Sequence, residues 1–371
     1  MDKPRVSIAL CTCNGARYLP AQLQSIARQT RLPDQLVICD DLSSDDTLAI
    51  IADFSRTAAF PVEVRRNALN LGSTRNFEQA ISFCTGEIIV LCDQDDLWRP
   101  EKLLAMEAAF GASPAAGLVF SDARIVDENS ASTGHYLWQS SGLVRGLRTQ
   151  AEKGELFKVL LTDSRVTGST MAFRASLKSL ILPIPPAWVH DEWIALLASA
   201  VAPYVMIDKP LVDYRQHATQ QVGPVPCTLS EQVKPVFKRH RVRRSHYAEM
   251  TAKFQLPRER LAQERLARES LASESPAGES PARESLASES LASEGLASEG
   301  LAQESPAQRA APGCPPRYIT ALQEKIDHMQ ALSDLPEARW RRPPIVFREV
   351  ASGRYQRCSR GWITVAKDLL L

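Results

Sequence analysis

The first 130 residues alternate between short apolar segments and segments in which apolar residues recur at helical spacing. The short segments lie at 6–10, 36–39, 62–64, 88–91 and 118–120, and their apolar runs predict strands buried on both faces. The intervening segments predict helices near 19–26, from an N-cap at Ser44, near 77–81, and from a first turn at Pro100 to residue 110. Buried strands that alternate with helices are typical of a parallel sheet covered on both sides, so we expect an α/β fold.

Polar and mostly acidic residues follow four of the five predicted strands. In sheets of this kind ligands bind at the carboxyl ends of the strands, so we expect a binding site at this edge. Like charges gathered there are costly unless a cation binds between them. The residues are Thr12, Cys13, Asn14 and Gly15, then Asp40 and Asp41, then Asp93, Gln94, Asp95 and Asp96, and finally Ser121 and Asp122.

Asp93 and Asp95 stand two positions apart directly after the fourth predicted strand. Two such carboxylates can hold one divalent cation, Mg²⁺ or Mn²⁺, which can bridge a diphosphate and offset charge on a leaving group. Acidic triplets are common on protein surfaces, but this one joins a buried strand to Leu97 and Trp98. Its position makes it a candidate metal site.

Seven segments follow one another along the chain in a characteristic order: CTCNGARYLPAQLQSI, CDDLSSDDT, NLGSTRNFEQAI, TGEIIVLCDQDDLWRPEKL, VTGSTMAF, HDEWIALLASA and YRQH. In this order they resemble the family 2 glycosyltransferases. They are most similar to the rhamnosyltransferase-like branch, whose members build bacterial surface polysaccharides. The similarity spans about residues 5–222 and resumes weakly at 352–371.

The resemblance implies a GT-A fold, which is Rossmann-like, with a mostly parallel sheet flanked by helices. It also implies inverting transfer of a sugar, rhamnose or a similar hexose, from a nucleotide-diphosphate sugar. The acceptor would be a cell-surface glycan or a lipid-linked oligosaccharide. Such a displacement needs a base on the acceptor hydroxyl and a cation at the leaving diphosphate, on opposite sides of the sugar.

The same resemblance assigns roles to residues on the donor side. Asp93 is expected near the ribose and the metal, Asp95 as the direct metal ligand, and Asp41 as the acceptor of a hydrogen bond from the base. Arg215 and His217 match the group that approaches the diphosphate and the metal. The remaining residues implied to bind the nucleotide-sugar are Thr12, Asn14, Gly72, Arg75, Asn76 and Gln94.

On the acceptor side, Asp191 at the start of a predicted helix matches the general base. The sequence departs from the family at Cys13, where Tyr is frequent, and at Glu192, where Trp is frequent in this branch. The loss of Tyr puts the base-stacking contact in doubt. Further residues implied on the acceptor side are Gly168, Ser169, Trp188, His190, Glu192 and Trp193.

Several of these residues have a simpler structural interpretation. Asp191 could be only a helix N-cap, and His217 a partly buried histidine without a metal. Arg75 could be a surface charge on a helix, and 167–169 a plain tight turn. The residue types alone leave both interpretations open.

Two other functions remain as alternatives. A nucleotidyltransferase also uses a parallel sheet and acidic metal ligands, but it is disfavoured because no Gly-rich phosphate loop follows the first strand. A non-catalytic scaffold would instead use a repeat, in which a five-residue unit recurs ten times from 258 to 307. Successive leucines in this repeat advance by about 140° on a helix, so no apolar stripe forms.

The repeat divides the chain into four predicted parts. Residues 1–225 are expected to form the GT-A catalytic domain, 226–257 a basic helical extension, 258–307 a disordered linker, and 308–371 a helical, basic and aromatic region. The chain has a net charge of +1. The repeat contributes −5, from ten Glu and five Arg, so the rest of the chain carries +6.

A charge of +6 over the remaining chain is too small for a general nucleic-acid-binding surface, so no nucleic-acid partner is expected. We expect a cytoplasmic protein, because neither a signal peptide nor an apolar stretch of spanning length is visible. The basic run at 234–244 and the aromatic and basic residues at 339–371 can rest on the inner face of an anionic membrane. The alternative for the latter segment is a helix packed on the catalytic domain. The sequence gives no indication of oligomeric state.

Overall fold

The computed structural model describes residues 3–218 and 220, the helix 240–274 with side chains from 246 to 270, and residues 314–336, 341–359, 364–365 and 368–369. The side chains of the basic run at 234–244 and the repeat from residue 275 onward lie outside the described residues. So do Trp340 and Trp362. Expectations about them therefore stay predictions.

In the described part of the chain nine strands form one sheet, and all five predicted strands are among them. Most are short and apolar, because both faces of the sheet are covered. The strands are β1 Val6–Thr12, β2 Gln35–Asp40, β3 Val62–Arg66, β4 Ile88–Asp93, β5 Leu97–Trp98, β6 Leu118–Val126, β7 Ser132–Tyr136, β8 Met171–Arg174 and β9 Tyr204–Arg215.

The strand order is β3-β2-β1-β4-β8-β6-β9-β5, with β7 paired to β6. Parallel pairs join β1 to β2 and β4, β2 to β3, and β6 to β9. Strand β8 is antiparallel to both β4 and β6, so β6 points in the same direction as β4. The carboxyl ends of β1, β2 and β4 therefore share one edge. The predicted α/β fold with a mostly parallel sheet is confirmed.

Alternate residues of the central strands bury opposite faces of the sheet, as strand geometry requires. On β1, Ile8 and Leu10 face the layer that contains the first, second and fourth helices, whereas Ala9 and Cys11 face the other layer. The helices are α1 Leu19–Ala27, α2 Thr47–Thr57, α3 Ser73–Phe83, α4 Lys102–Ala112, α5 Leu137–Ser140, α6 Arg145–Gln150, α7 Leu156–Leu160, α8 Lys178–Ile181, α9 His190–Val201, α10 His240–Glu274, α11 Pro316–Ser333, α12 Pro343–Ala351 and α13 Arg354–Cys358.

Three local predictions were wrong. Helix α2 begins at Thr47 with Asp46 as N-cap, so Ser44 lies outside it. Helix α4 begins at Lys102, after Pro100. Ser121 and Asp122 do not follow a strand, because β6 continues through them along β9, and the Asp122 carboxylate accepts a hydrogen bond from the backbone N–H of Trp138 at 2.9 Å.

The C-terminal helices pack on the N-terminal region. Tyr318 of α11 lies 4.5 Å from the ring of Phe157, and Phe254 of α10 belongs to the same buried cluster. The helices α12 and α13 pack instead on α10 and α11, through a separate cluster that includes Val346 and Tyr355. Among the described helices, none is both long and apolar enough to cross a bilayer.

Helix α10 runs through the boundary predicted between residues 257 and 258. The first repeat unit is therefore part of the folded protein. Arg260 donates hydrogen bonds to the carbonyl oxygens of Leu180 at 3.1 Å and Leu182 at 2.9 Å, at the end of α8. Leu261 is fully buried, whereas Leu266, one unit later, is 65% exposed. This contrast follows from the 140° step between successive leucines.

The two leucines give a matched test of how far the repeat belongs to the fold. We expect Leu261→Ala to lower the free energy of unfolding by about 2–5 kcal/mol, because it opens a cavity in the core. Leu266→Ala should change it by about 0.5 kcal/mol or less. Chemical denaturation measures both, and equal effects would contradict the difference in packing.

Candidate functional site

Asp41 holds the loop between β3 and α3 at the edge of the sheet. Its carboxylate accepts hydrogen bonds from the backbone N–H groups of Leu71 at 2.7 Å and Gly72 at 2.8 Å, and from the amide of Asn67 at 2.8 Å. Gly72 has φ 78°, a left-handed conformation that favours glycine, directly before α3. Both oxygens of Asp41 are therefore engaged by the loop, and its contact with a base stays a prediction.

Three other predicted nucleotide residues brace the same edge. Thr12 donates to the Asp40 carboxylate at 2.9 Å, and the Asn76 amide donates to the carbonyl oxygen of Cys39 at 2.8 Å. The exposed Asn14 accepts a hydrogen bond from the backbone N–H of Ser44 at 2.9 Å. These contacts position the loops after β1 and β2, as a pocket at this edge requires.

Arg75 forms two hydrogen bonds of 2.8 Å with Glu78 on its own helix, and its side chain is 40% exposed. This arrangement matches the interpretation of Arg75 as a surface charge of a helix. Its contact with a nucleotide stays a prediction.

Gln94 joins the acidic segment to the loop after β1. Its side-chain amide accepts a hydrogen bond from the backbone N–H of Cys13 at 2.8 Å and donates one to the carbonyl oxygen of Cys13 at 3.1 Å. A methyl group on Gly15 would lie only 2.2 Å from Gln94 Oε1. Glycine at this position therefore makes room for Gln94.

The end of β9 returns to the acidic segment and holds it. Asp95 Oδ2 lies 2.8 Å from Nε2 of His217, and the guanidinium of Arg215 donates to the carbonyl oxygens of Asp95 at 2.7 Å and Glu128 at 2.9 Å. Arg215 is 3% exposed, so its side chain fixes the backbone of this segment. Tyr18 lies against both residues, 4.6 Å from the ring of His217.

The carboxylates of the acidic segment repel one another. Burial raises the pKa of Asp93 well above its usual value, and the charges of Asp96, Asp95 and Asp191 raise it further. Burial and the charge of Asp95 likewise raise the pKa of Asp96. The negative charge of Asp191 thus acts on Asp93, although the two residues come from distant parts of the chain.

Lys102 is a cation buried beneath this segment. It is fully buried, its ammonium lies 3.6 Å from the centre of the Trp98 ring, and it donates a 2.5 Å hydrogen bond to the carbonyl oxygen of Ser169. Burial lowers the pKa of Lys102 to about 7, although the acidic charges of Asp96 and Asp93 oppose the shift. Lys102 therefore lies between α4, the acidic segment and the turn before β8.

Asp191 lies in the first turn of α9 and is held at both oxygens. It accepts hydrogen bonds from the backbone N–H of Gly168 at 3.1 Å and from that of Glu192 at 2.7 Å. The N-cap of α9 is Val189, so Asp191 is not simply the cap. Burial raises its pKa, while these hydrogen bonds and the charge of Lys253 lower it.

Gly168 brings Asp191 to the acidic edge. It begins the single turn Gly168–Thr170 that precedes β8, the antiparallel neighbour of β4. A methyl group on Gly168 would lie 2.9 Å from Nε2 of His190 and 3.5 Å from Cβ of Asp191. The turn predicted at 167–169 is therefore a close contact between β8 and the start of α9.

His190 is buried and stacked on Phe77, with ring centres 3.9 Å apart. Neither of its ring nitrogens has a hydrogen-bond partner among the described residues. Burial lowers its pKa to about 3, so the ring is neutral. Its place beside Asp191 keeps it a candidate on the acceptor side.

Three of the residues predicted on the acceptor side belong to the core instead. Trp193 and Ser169 are fully buried, and Trp188 is 4% exposed. The indole of Trp193 donates to the carbonyl oxygen of Ile181, and that of Trp188 donates to the carbonyl oxygen of Lys253. In this structure these three side chains are buried, so their role on the acceptor side stays a prediction. Glu192 is partly exposed and pairs with Lys253.

Among the described residues, no group of three or more His, Cys, Asp or Glu side chains is placed to hold a metal ion. Asp95 and His217 form a pair, and burial raises the pKa of the neighbouring Asp93. Any cation here would need ligands from a substrate or from water.

Residues 7–180 match the family model described as glycosyl transferase family 2. The matched region, a little under half of the chain, has the sequence pattern of the family 2 glycosyltransferases. Such enzymes transfer sugars from nucleotide-sugar donors. The match favours a glycosyltransferase over a nucleotidyltransferase, and the strand order gives the GT-A architecture expected for it.

Curated relatives agree with the family. An uncharacterised glycosyltransferase of Nostoc sp. is 25% identical over 62% of this chain and 70% of its own length. The UDP-Glc:alpha-D-GlcNAc-diphosphoundecaprenol beta-1,3-glucosyltransferase of Escherichia coli is 27% identical over 35% of this chain and half of its own length. Among solved structures, S. aureus TarS in complex with UDP-GlcNAc is 19% identical, with a TM-score of 0.49 over 69% of this chain and 66% of that one.

Three contacts of this glycosyltransferase were missed from the sequence. Tyr18 and Lys102 lie within the family-like segments but were assigned no role there, and Lys253 lies in none of those segments. Lys102 offered one signal, because it occupies an apolar face of α4 beside Leu103 and Met106. A lysine among core positions indicates a buried cation with a nearby acidic partner.

Gly15 tests whether Gln94 positions the acidic segment. We expect Gly15→Ala to displace the Gln94 side chain from Cys13 and to lower kcat/KM for sugar transfer by about tenfold to a hundredfold, through misplacement of the neighbouring carboxylates. Gly111→Ala on α4 is the control, because open space surrounds Gly111 and alanine favours the helix. Equal activity in the two variants would contradict this role of Gln94.

Proposed function

We propose that this chain is an inverting glycosyltransferase that uses Asp191 as its general base and a divalent cation, Mg²⁺ or Mn²⁺, at Asp95. The supporting observation is that the fold brings Asp191 to the carboxyl edge of β4, where its charge acts on Asp93. An in-line displacement needs a base and a stabiliser of the leaving group at one site but on separate elements. Asp191 on α9 and Asp95 after β4 meet that requirement.

The environment of Asp191 suits a base. The two backbone hydrogen bonds fix the carboxylate, and each oxygen retains a further lone pair for the acceptor hydroxyl. Its raised pKa makes the carboxylate a stronger proton acceptor near neutral pH. The proton of the acceptor hydroxyl passes to Asp191 as the new glycosidic bond forms and the bond to the diphosphate breaks.

The side chains at this edge of the sheet suit a divalent cation. Mg²⁺ often takes one or two protein carboxylates and completes its shell with substrate phosphates and water. Asp95 and His217 are the residues placed to hold it, with Asp93 adjacent. When bound, the cation would stabilise negative charge on the leaving diphosphate.

The donor is proposed to be a nucleotide-diphosphate sugar that binds between the loops after β1, β2 and β4. Thr12, Asn14, Asp41 and Gln94 build those loops. The rhamnosyltransferase-like motifs make a rhamnose donor the first to test. The Escherichia coli relative, by its name, glucosylates a diphosphoundecaprenol-linked sugar, and this supports a lipid-linked or cell-surface glycan as the acceptor.

Substitution of the two carboxylates tests this function. With Mg²⁺ or Mn²⁺, the wild-type protein should release nucleoside diphosphate from one of a panel of nucleotide-sugars. Asp191→Asn should lower turnover by about 10³-fold or more without weakening donor binding, because it removes only the proton acceptor. Asp95→Ala should abolish turnover, and added Mg²⁺ or Mn²⁺ should not restore it, because the variant lacks the proposed metal ligand.

Glu128→Gln is the control for these variants. It also removes one carboxylate, but on an exposed loop where Glu128 pairs with Arg17. Its turnover should equal that of the wild type. Full activity in both Asp191→Asn and Asp95→Ala would refute the catalytic assignment.

The chain is further proposed to work at the cytoplasmic face of an anionic membrane. On α12, Phe347 is 60% exposed and the Arg348 side chain 71% exposed. An exposed aromatic side chain next to a cation suits the interface of anionic lipids.

Vesicle sedimentation tests this contact. Phe347→Ser should weaken binding to phosphatidylglycerol vesicles by about tenfold to a hundredfold, because one buried aromatic side chain contributes about 1.5–3 kcal/mol. Leu266→Ser, at an equally exposed apolar residue of α10, is the control and should bind as the wild type does. Equal binding of phosphatidylcholine and phosphatidylglycerol vesicles would contradict the anionic surface.

A further inference from the structure

The C-terminal helix α10 reaches the start of α9, which carries Asp191. The contact is made by two consecutive residues. Lys253 Nζ lies 2.8 Å from Oε2 of Glu192, the residue after Asp191. Phe254 packs edge-on against Trp188 with ring centres 5.4 Å apart. A helix that leads into the repeat therefore contacts Glu192, the residue next to the proposed base.

Lys253 is held in place from several sides. Its carbonyl oxygen accepts a 3.1 Å hydrogen bond from the indole of Trp188, and its ammonium lies 4.3 Å from the centre of the same ring. The carbonyl oxygen of Trp188 in turn accepts a hydrogen bond from Thr74 on α3 at 3.3 Å. The Lys253 side chain is only 19% exposed and that of Glu192 26% exposed, so water screens this pair less than a surface pair.

The charges that face Asp191 come from three elements. Asp93 at the end of β4 and Glu192 on α9 are acidic, and burial raises the pKa of Asp93 well above its usual value. His190 on α9 is neutral because burial lowers its pKa. Lys253 on α10 is positive, and its charge lowers the pKa of Asp191 against the effect of burial.

We propose that Lys253 is a positioning residue for the general base, so that the C-terminal helix α10 completes the active site of the N-terminal domain. Through Glu192 and Trp188 it fixes the first turn of α9, and its charge keeps the Asp191 carboxylate ionised before the acceptor binds. This inference rests on the proposed role of Asp191. It gives the C-terminal region a function in catalysis that is separate from contact with a membrane.

The variant Lys253→Met removes the charge but keeps an unbranched stem over Trp188. Loss of a neighbouring positive charge raises the pKa of a carboxylate, and a base works only when ionised. The acid limb of the pH profile of kcat should therefore move to higher pH by about half a unit to one unit. Turnover below that limb should fall by about threefold to tenfold, with the KM for the donor unchanged.

Two further variants separate charge from packing. Lys253→Arg keeps the charge and should restore the wild-type acid limb. Arg265→Met removes a cation from the same helix, where it pairs with Glu269 at 2.6 Å, and should leave the profile unchanged. A Lys253→Met protein with a lower melting temperature but a wild-type pH profile would overturn the proposal, since its role would then be structural only.

A second measurement does not need turnover. In protein labelled with ¹³C at the aspartate carboxyl carbons, the Asp191 signal is assigned by its loss in Asp191→Asn, and its titration is followed by NMR. The pKa of Asp191 should rise in Lys253→Met and not in Arg265→Met, and an unchanged pKa would overturn the inference. Absence of turnover in the wild type would count against the proposed function, while this titration would still decide the role of Lys253.

Discussion

The buried guanidinium of Arg215 holds the acidic segment 93–96 at the carboxyl end of β4, where it donates to the carbonyl oxygen of Asp95. Lys102 is buried near the same segment, and the charges of Asp96 and Asp93 oppose the lowering of its pKa by burial. Buried polar and charged groups are stable only when they are hydrogen-bonded or paired, so Arg215 stabilises this segment. The sheet topology brings these side chains to the acidic segment. Strand β9 pairs with β6 and so delivers Arg215 and His217, and α4 delivers Lys102 after the short pairing of β5 with β9.

The opposite side of the site is built from close packing. The start of α9 approaches the turn before β8 because Gly168 has no side chain, and His190 fills the space against Phe77. Trp188 and Trp193 then pack beneath this turn rather than lining it. Because α10 covers Trp188 and pairs with Glu192, the C-terminal helices are part of the same core as the sheet. The N-terminal region is therefore incomplete without them.

The sequence predicted the main elements well, because each depends on local pattern. The apolar runs of β1, β2 and β4 identified buried strands, and the residues after them identified the edge that carries Asp41, Asp93 and Asp95. Boundaries were less accurate, as at Ser44 and Pro100, since helix starts depend on contacts from other segments. Asp122 was misplaced for the same reason, because the partner strand β9 prolongs β6. The repeat was assigned as a linker from its composition, yet its first unit is anchored by Arg260 and Leu261.

By itself, the sequence determined the fold class, the acidic edge and the family, because strand periodicity and ordered motifs are properties of neighbouring residues. Only the tertiary structure decided which predicted residues face the site and which support it. Trp193 and Ser169 are buried in the core, and Arg215 hydrogen-bonds the backbone of the acidic segment. Lys253 of α10 pairs with Glu192, next to the proposed base. The physical reason is that burial and charge pairing depend on distant segments meeting in space. No local sequence pattern predicts that Lys253 Nζ lies 2.8 Å from Oε2 of Glu192.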